Sequence, residues 1–195
     1  MNLFYELFYK KYVQNLDYPM PVDHWMFFNA ALATFPTIDT PYPNITQSSR
    51  RTKKIQIVIL HHTGSLEFAN ALRWFGNPNT YSSTNYLIDR DGHTVCLVPD
   101  ENAAFHTPNA KYAHSRLVNE MSLGVTLVGD GIIPFSDSQY EALAMLCSFW
   151  KEKYRLKNED IWKHVDIEHW GERHTDPSPW NQEKFLKLVE MFDKI

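Results

Sequence analysis

The chain has 195 residues, enough for one domain with a substantial core plus a small appendage. A hydrophobic fraction of 44% with 14% aromatics excludes general disorder, and a net charge of -4 gives no broad attraction to nucleic acid or acidic lipid. The two cysteines, Cys96 and Cys147, make neither a disulfide framework nor a CxxC metal knuckle; both sit in apolar runs, as core residues in a reducing compartment would.

At the N-terminus Leu3, Phe4, Leu7, Phe8 and Tyr12 recur at helical spacing. After the break at Pro19 and Pro21, Trp25, Phe28, Leu32 and Phe35 predict a second helix. The start MNLFYELFYKKYVQN interleaves aromatic and charged residues, so no secretory leader is expected, and no run is long enough to cross a bilayer. Residues 37–54, rich in Pro, Thr and Ser and ending in RRTKK, read as a surface linker with a solvated basic cluster. Asn44-Ile45-Thr46 fits a glycosylation sequon, which carries little meaning without a secretory leader.

The run Ile55 to Leu60 is apolar on both alternating faces, as a central buried strand is, and it ends at His61-His62. Ser65 is the expected cap of a helix carrying Leu66, Ala69, Leu72 and Phe75 and ended by Gly76 and Pro78. Tyr86–Asp89 and Thr94–Val98, joined through Asp91-Gly92, predict a β-hairpin. Another strand is expected over Ser122–Val128, closed by Gly129-Asp130-Gly131. Ser136 or Asp137 then caps a helix whose Tyr140, Leu143, Cys147, Trp150 and Tyr154 form one core-facing stripe. A last helix, about Asn181 to Lys194, carries Phe185, Leu188, Val189 and Phe192. Strands and helices interleaved in this way predict an α/β fold, a central mixed β-sheet flanked by helices, with residues 1–54 as a helical extension and linker and 55–195 as the functional domain. There is no internal repeat, Walker loop or dinucleotide fingerprint.

Chemistry concentrates in two places, the strand end at His61-His62 and the stretch HVDIEHWGERHTDPSPW from His164. Two neutral imidazoles and one carboxylate, with a position left for water, make a catalytic zinc set, and these stretches supply several candidates for each. The local H-E-x-x-H spacing is absent, so spacing alone does not choose among them.

The order VILHHTG, NYLIDRDGHTVCLVP, AAFHT, SLGVTLVG, KHVDI and RHTDPSPW resembles the zinc-dependent N-acetylmuramoyl-L-alanine amidases, the superfamily that also holds amidase-type phage lysozymes and peptidoglycan recognition proteins. The resemblance spans about residues 55 to 192 and selects His61, His164 and Asp176 as zinc ligands. It implies hydrolysis of the amide between N-acetylmuramic acid and L-Ala in peptidoglycan or muropeptides; the net charge gives no expectation of a nucleic-acid partner, and the oligomeric state is left open with a monomer favoured. It places His174 where many relatives have an oxyanion-stabilising Lys, and His106 at a position that binds substrate or supports the metal ligands; Asn85 and His62 are further substrate-binding candidates. Asp166 and His169, like His62, could support the ligands from behind.

Two departures stand out. Thr126 replaces a catalytic Glu found in some relatives, and Thr84 replaces a Tyr found in others. A threonine orients water but is no general base at neutral pH, so His174 or a loop carboxylate such as Glu67, Glu101 or Glu168 is expected to take the proton-handling role. Two further readings compete with an amidase: a non-catalytic muropeptide-binding protein, and a structural zinc protein with His174 as fourth ligand. Without a leader, the expected settings are cytoplasmic muropeptide recycling, a phage endolysin released through a membrane lesion, or a delivered toxin.

Overall fold

The computed structural model describes residues 38–39, 48–107, 110–111, 117–169 and 174–194. The two helices expected before residue 37 and the Asn44 sequon lie outside the described residues.

The strand expected after Lys54 is β3 (Ile57–His62), and it sits near one edge of a six-stranded mixed sheet. With β1 (Ile38–Asp39), β4 (Tyr86–Ile88), β5 (Thr94–Cys96), β8 (Ser122–Leu127) and β9 (Ile161–Lys163), the order is β1-β5-β4-β8-β3-β9. Strands β4, β8, β3 and β9 run parallel, and the predicted hairpin supplies the antiparallel pair β4–β5. Two small sheets complete the strands: β2 (Ser48–Arg50) pairs with β6 (Asn102–Ala104), and β7 (Ala110–Lys111) with β10 (Glu168–His169).

Alternation along β3 and β8 divides the sheet into two faces. Val58 and Leu60 of β3, with Leu123, Val125 and Leu127 of β8, pack beneath helix α3 (Asp137–Tyr154) and helix α4 (Gln182–Asp193). Trp150 of α3 and Phe185 of α4 are fully enclosed there, and burial of each large apolar side chain stabilises the fold by roughly 1.5–3 kcal/mol. On the opposite face, Ile57 and Ile59 pack against Val118 of the short helix α2 (Val118–Met121) and against Ile167, while Phe75 of helix α1 (Phe68–Gly76) covers Leu87 and Val95. His61, and Ser122, Gly124 and Thr126 of β8, belong by parity to this second face, away from the long helices.

Two sequence expectations are corrected, and one strand was not foreseen. Residues 37–54 are not a plain linker: β1 pairs with β5, β2 pairs with β6, and Arg51 is partly buried. Its guanidinium donates to the carbonyls of Asp100, Asn102 and Asn119 at 2.9–3.0 Å, which is why this member of the basic cluster is not solvated. Burial lowers its pKa, against the opposing pull of Asp100 and Glu120. Ser65 does not cap α1, which begins after Glu67; Ser65 bridges Gly129 instead, and its hydroxyl accepts from the Glu67 amide at 3.2 Å. Finally, β9 has only three half-buried residues, too few to show a period in the sequence.

The start of α3 is a full capping box. Ser136 Oγ accepts from the Gln139 amide, and Gln139 Oε1 accepts from the Ser136 amide, both at 3.1 Å. Gln139 is also fully buried, and its Nε2 donates to Val128 O at 2.9 Å and Ile88 O at 3.3 Å, so one side chain joins the helix to the ends of β4 and β8. Gln139→Ala removes the reciprocal cap bond and the bonds to both carbonyls. It should lower unfolding free energy by about 2–3 kcal/mol in chemical denaturation, whereas exposed Glu141→Ala should change it by less than about 0.5 kcal/mol.

Candidate metal centre

The centre forms at the C-terminal ends of parallel strands, where an open sheet presents side chains to ligands. His61 is the penultimate residue of β3, beside Thr126 of β8 in register. On its other side, Leu60 pairs with Lys163, the last residue of β9, so His164 leaves the sheet at the level of His61. Asp176 comes from the Pro-rich segment before α4, which is held to β9's end by the bond from Val165 N to Asp176 O at 2.9 Å. Sheet pairing and one backbone bond therefore bring together residues more than a hundred positions apart.

One ligand atom from each of His61, His164 and Asp176 lies within 4.8 Å of the others. His61 Nδ1 is 3.1 Å from Asp176 Oδ2, and His164 Nδ1 is 2.9 Å and 3.0 Å from Oδ1 and Oδ2. The two imidazole rings meet edge to face with centroids 4.3 Å apart. His61 and His164 are only 6% and 5% exposed, so water does little to screen what converges there. Burial pushes the Asp176 carboxyl upward in pKa; the contacts with His164 and His61 outweigh this and hold it below the usual carboxylate range. Two nitrogen donors and an ionised carboxylate, aimed at one small space and shielded from water, are the donor set that fits a divalent metal ion.

Around the three, His106 Nδ1 lies 2.9 Å from His61 Nε2, and His106 Nε2 lies 3.1 Å from Ser122 Oγ. Burial, with the neighbouring His61, His164 and Arg51, puts the pKa of His106 well below the ordinary histidine value, so its ring is neutral. The loop carrying it is fixed by Asn119, whose Oδ1 accepts from the Thr107 amide at 3.0 Å and the His106 amide at 3.3 Å. A Cβ on Gly124 would come within 2.6 Å of the His106 ring, so glycine there gives the ring its place over β8. His174 stacks on His164 with centroids 4.0 Å apart, and its Nδ1 is 4.0 Å from Asp176 Oδ1.

A cleft of about 360 Å³ opens over this end of the sheet, lined by His61, His62, His106 and Thr126 together with Ser83 and Trp74. It reaches the three-residue group through His61; His164 and Asp176 are not in its wall. Trp74 is 57% exposed and presents a ring to the opening. His62 Nδ1 accepts from the Ser178 amide at 3.2 Å and so also braces the segment bearing Asp176.

Thr84 and Asn85 do not reach the cleft. Both are fully buried. Thr84 donates to Gly124 O at 2.9 Å, while Asn85 accepts from Gly124 N at 3.0 Å and donates to Val98 O at 3.0 Å and Asn102 O at 3.2 Å. Their polar groups are consumed in joining β4 to β8 and to the β5–β6 connection, which corrects the expectation of a catalytic Thr84 and a substrate-binding Asn85. Asp166 is exposed and pairs with Lys163 at 3.2 Å, turned to solvent instead of supporting a ligand. Glu67 and Glu101 are exposed and outside the cleft wall, while the side chains of Glu168 and His169 lie outside the described part of the chain. Ser122 and Gly124 were not singled out in the sequence. Their i, i+2 alternation with Thr126 was visible, but not the ring they receive, because His106 arrives from a separate loop.

Residues 51–179 match the family described as N-acetylmuramoyl-L-alanine amidase. The chain is 35% identical over 97 residues to the 1,6-anhydro-N-acetylmuramyl-L-alanine amidase AmpD of Enterobacter cloacae, covering 50% of this chain and 51% of that protein. It is 31% identical over 129 residues to AmpD of Citrobacter freundii, covering 65% of this chain and 67% of that protein. The matched regions thus span from about half to two thirds of these relatives' length. A crystal structure of a selenomethionine AmpD derivative shares the fold with a TM-score of 0.62 at 24% identity, covering 78% of this chain and 93% of that one. AmiD of Escherichia coli, in complex with the substrate anhydro-N-acetylmuramic acid-L-Ala-D-gamma-Glu-L-Lys, shares it with a TM-score of 0.61 at 21% identity, covering 78% and 61%. With well over half of its length on the family's pattern, the chain belongs to the N-acetylmuramoyl-L-alanine amidase family.

Proposed function

We propose that the protein is a zinc amidase that cleaves the amide between N-acetylmuramic acid and L-alanine in muropeptides or peptidoglycan. The observation that carries this reading is the convergence of His61, His164 and Asp176 at the strand ends beside an open cleft. These three would hold the ion, His61 and His164 through Nδ1 and Asp176 through its carboxylate. Bound zinc supplies an acidified water and a Lewis acid for the scissile carbonyl. The substrate class follows from the relatives' names and from the anhydromuramyl peptide held by AmiD.

The chain's own residues then divide the remaining work. Thr126, next to His61 in register and in the cleft wall, can accept and donate one hydrogen bond and so orient a water or the substrate amide. His174, beside Asp176 and stacked on His164, can donate an N–H toward negative charge developing on the carbonyl oxygen. His106 shapes the cleft floor, and Trp74 offers an apolar ring face to a pyranose. Neither Thr84 nor any fully exposed loop carboxylate takes part. Among the described residues no helix is long and apolar enough to cross a membrane.

The deciding measurement is release of the L-Ala-led stem peptide from purified anhydromuramyl peptide. Cleavage should stop on chelation, return with zinc, and fall by at least about a thousandfold in His164→Ala, whose loss leaves an incomplete ligand set. A folded, zinc-loaded protein that binds the muropeptide without cutting it would make this a binding protein, the reading that Thr126 in place of a carboxylate favours.

His174→Gln should lower kcat by about 10²–10³ with little change in KM if the imidazole acts on the oxyanion. Zinc content should stay at one ion per chain, because three ligands remain. Loss of the zinc itself in His174→Gln would instead support four-ligand, structural coordination.

A further inference from the structure

We propose that Ser122 and His106 are positioning residues that fix the tautomer of His61, keeping its proton on Nε2 and its Nδ1 lone pair turned to the metal position. The inference rests on the metal-site reading above, and it is drawn from the direction each hydrogen bond must take.

The Ser122 hydroxyl has one proton to give. Val118 O lies 2.7 Å from Ser122 Oγ, and a carbonyl can only accept, so the proton points there. The 3.1 Å contact between Ser122 Oγ and His106 Nε2 must then run the other way, from the ring N–H to the serine oxygen. His106 is 8% exposed, and neither of its ring contacts, Ser122 or His61, is an anion. A buried imidazolium without an anion is costly, so the ring carries a single proton, on Nε2, and Nδ1 accepts. Across 2.9 Å from that Nδ1 stands His61 Nε2, which therefore donates.

One backbone carbonyl thus sets the sense of three hydrogen bonds in series. Their end point is a His61 whose Nε2 keeps its proton, so that Nδ1, 3.1 Å from Asp176 Oδ2, is the nitrogen left to a metal. The other neutral tautomer, with its proton on Nδ1, would have to shed that proton before it could ligate a metal. The parts also share one strand face: Ser122 receives the His106 ring at one end, Thr126 lies beside His61, and Gly124 between them leaves room for the ring. The carbonyl that starts the series belongs to helix α2, whose residues are not in the cleft wall.

The test uses the full chain, with ¹⁵N spectra of the histidine ring nitrogens in the metal-free protein and zinc affinity measured by chelator competition. In the wild type, His61 should hold a proton on Nε2, while any proton on Nδ1 is shared with Asp176 and is displaced when zinc binds. In Ser122→Ala the Nε2 of His106 loses its acceptor, so the His106 proton can shift to Nδ1 and force that of His61 from Nε2 to Nδ1. The His61 signals should move toward the other tautomer, and zinc affinity should fall by about 10–100-fold. A folded Ser122→Ala protein with unchanged His61 signals and unchanged affinity would overturn the proposal.

If Ser122→Ala does not fold, His106→Gln and His106→Leu decide. Glutamine can accept from His61 through Oε1 and donate to Ser122 through Nε2, so it should bind zinc within a few-fold of wild type, while leucine should lose about 10–100-fold. Equal affinities for the two would overturn the proposal. A wild-type protein that takes up no zinc, yet shows His61 protonated at Nε2, would refute the metal-site reading and support the relay.

Discussion

Three groups whose ligand atoms lie within 4.8 Å of one another, two of the residues almost wholly shielded from water, hold together only with positive charge among them, protons on the imidazoles or a metal ion. This closeness is imposed from outside the group. β3 and β9 are hydrogen-bonded in register up to Leu60 and Lys163, so the residues that follow, His61 and His164, cannot separate without unzipping the sheet edge. Asp176 is held to the same place through its own carbonyl, which accepts from Val165. The energy that keeps the donors together comes from the apolar packing of Val58 and Leu60 beneath α3 and α4, on the face where no chemistry occurs.

The division of the sheet into a packing face and a chemical face also explains why so many polar groups are buried near the centre. Where β4 begins, Thr84 and Asn85 bond both backbone groups of Gly124 and the carbonyls of Val98 and Asn102, so the chain can enter the sheet without stranding polar atoms. Arg51 does the same: its three bonds tie the chain before β3 to Asp100, to the start of β6 at Asn102 and to helix α2 at Asn119. Asn119 in turn holds the backbone of His106. The position of one ring beside His61 is thus fixed by residues whose own roles are purely structural.

The parts of this arrangement legible in the sequence were those with a period or a motif. β3, the hairpin, β8, α3 and α4 each have several residues in regular alternation or helical spacing, and each is found where that spacing placed it, to within a few residues. His61, His164 and Asp176 came from ordered motifs, and the fold brings the three together. Thr84 and Asn85 were misjudged because their sequence neighbourhood is the same whether a polar side chain faces a cleft or closes a backbone network. Only burial and partners separate the two cases. Arg51 failed for a similar reason: among RRTKK, nothing local distinguishes the one guanidinium that three carbonyls will surround. Ser122 and Gly124 escaped notice because their partner, His106, is sixteen and eighteen positions away on a different element.

The exchange of a carboxylate for Thr126 gains significance from its neighbours. Thr126 is paired in register with His61, so a Glu there would place a second anion close to Asp176, at the same strand ends and in the same water-poor surroundings. Two carboxylates so close push each other's proton affinity up, which suits a general base only while a metal's charge offsets them. With threonine the centre has a single carboxylate, and the imidazoles nearest the three residues are His106, against His61, and His174, stacked on His164. On the proposed reading, proton handling passes from the sheet floor to the segment that also supplies Asp176, so one stretch of seven residues after position 173 carries both the metal's carboxylate and the acid–base partner. A site built this way couples its acid–base chemistry to the seating of the Asp176 segment. The bonds that seat it, from Val165 to the Asp176 carbonyl and from Ser178 to His62, then belong to the working parts of the centre and not merely to its scaffold.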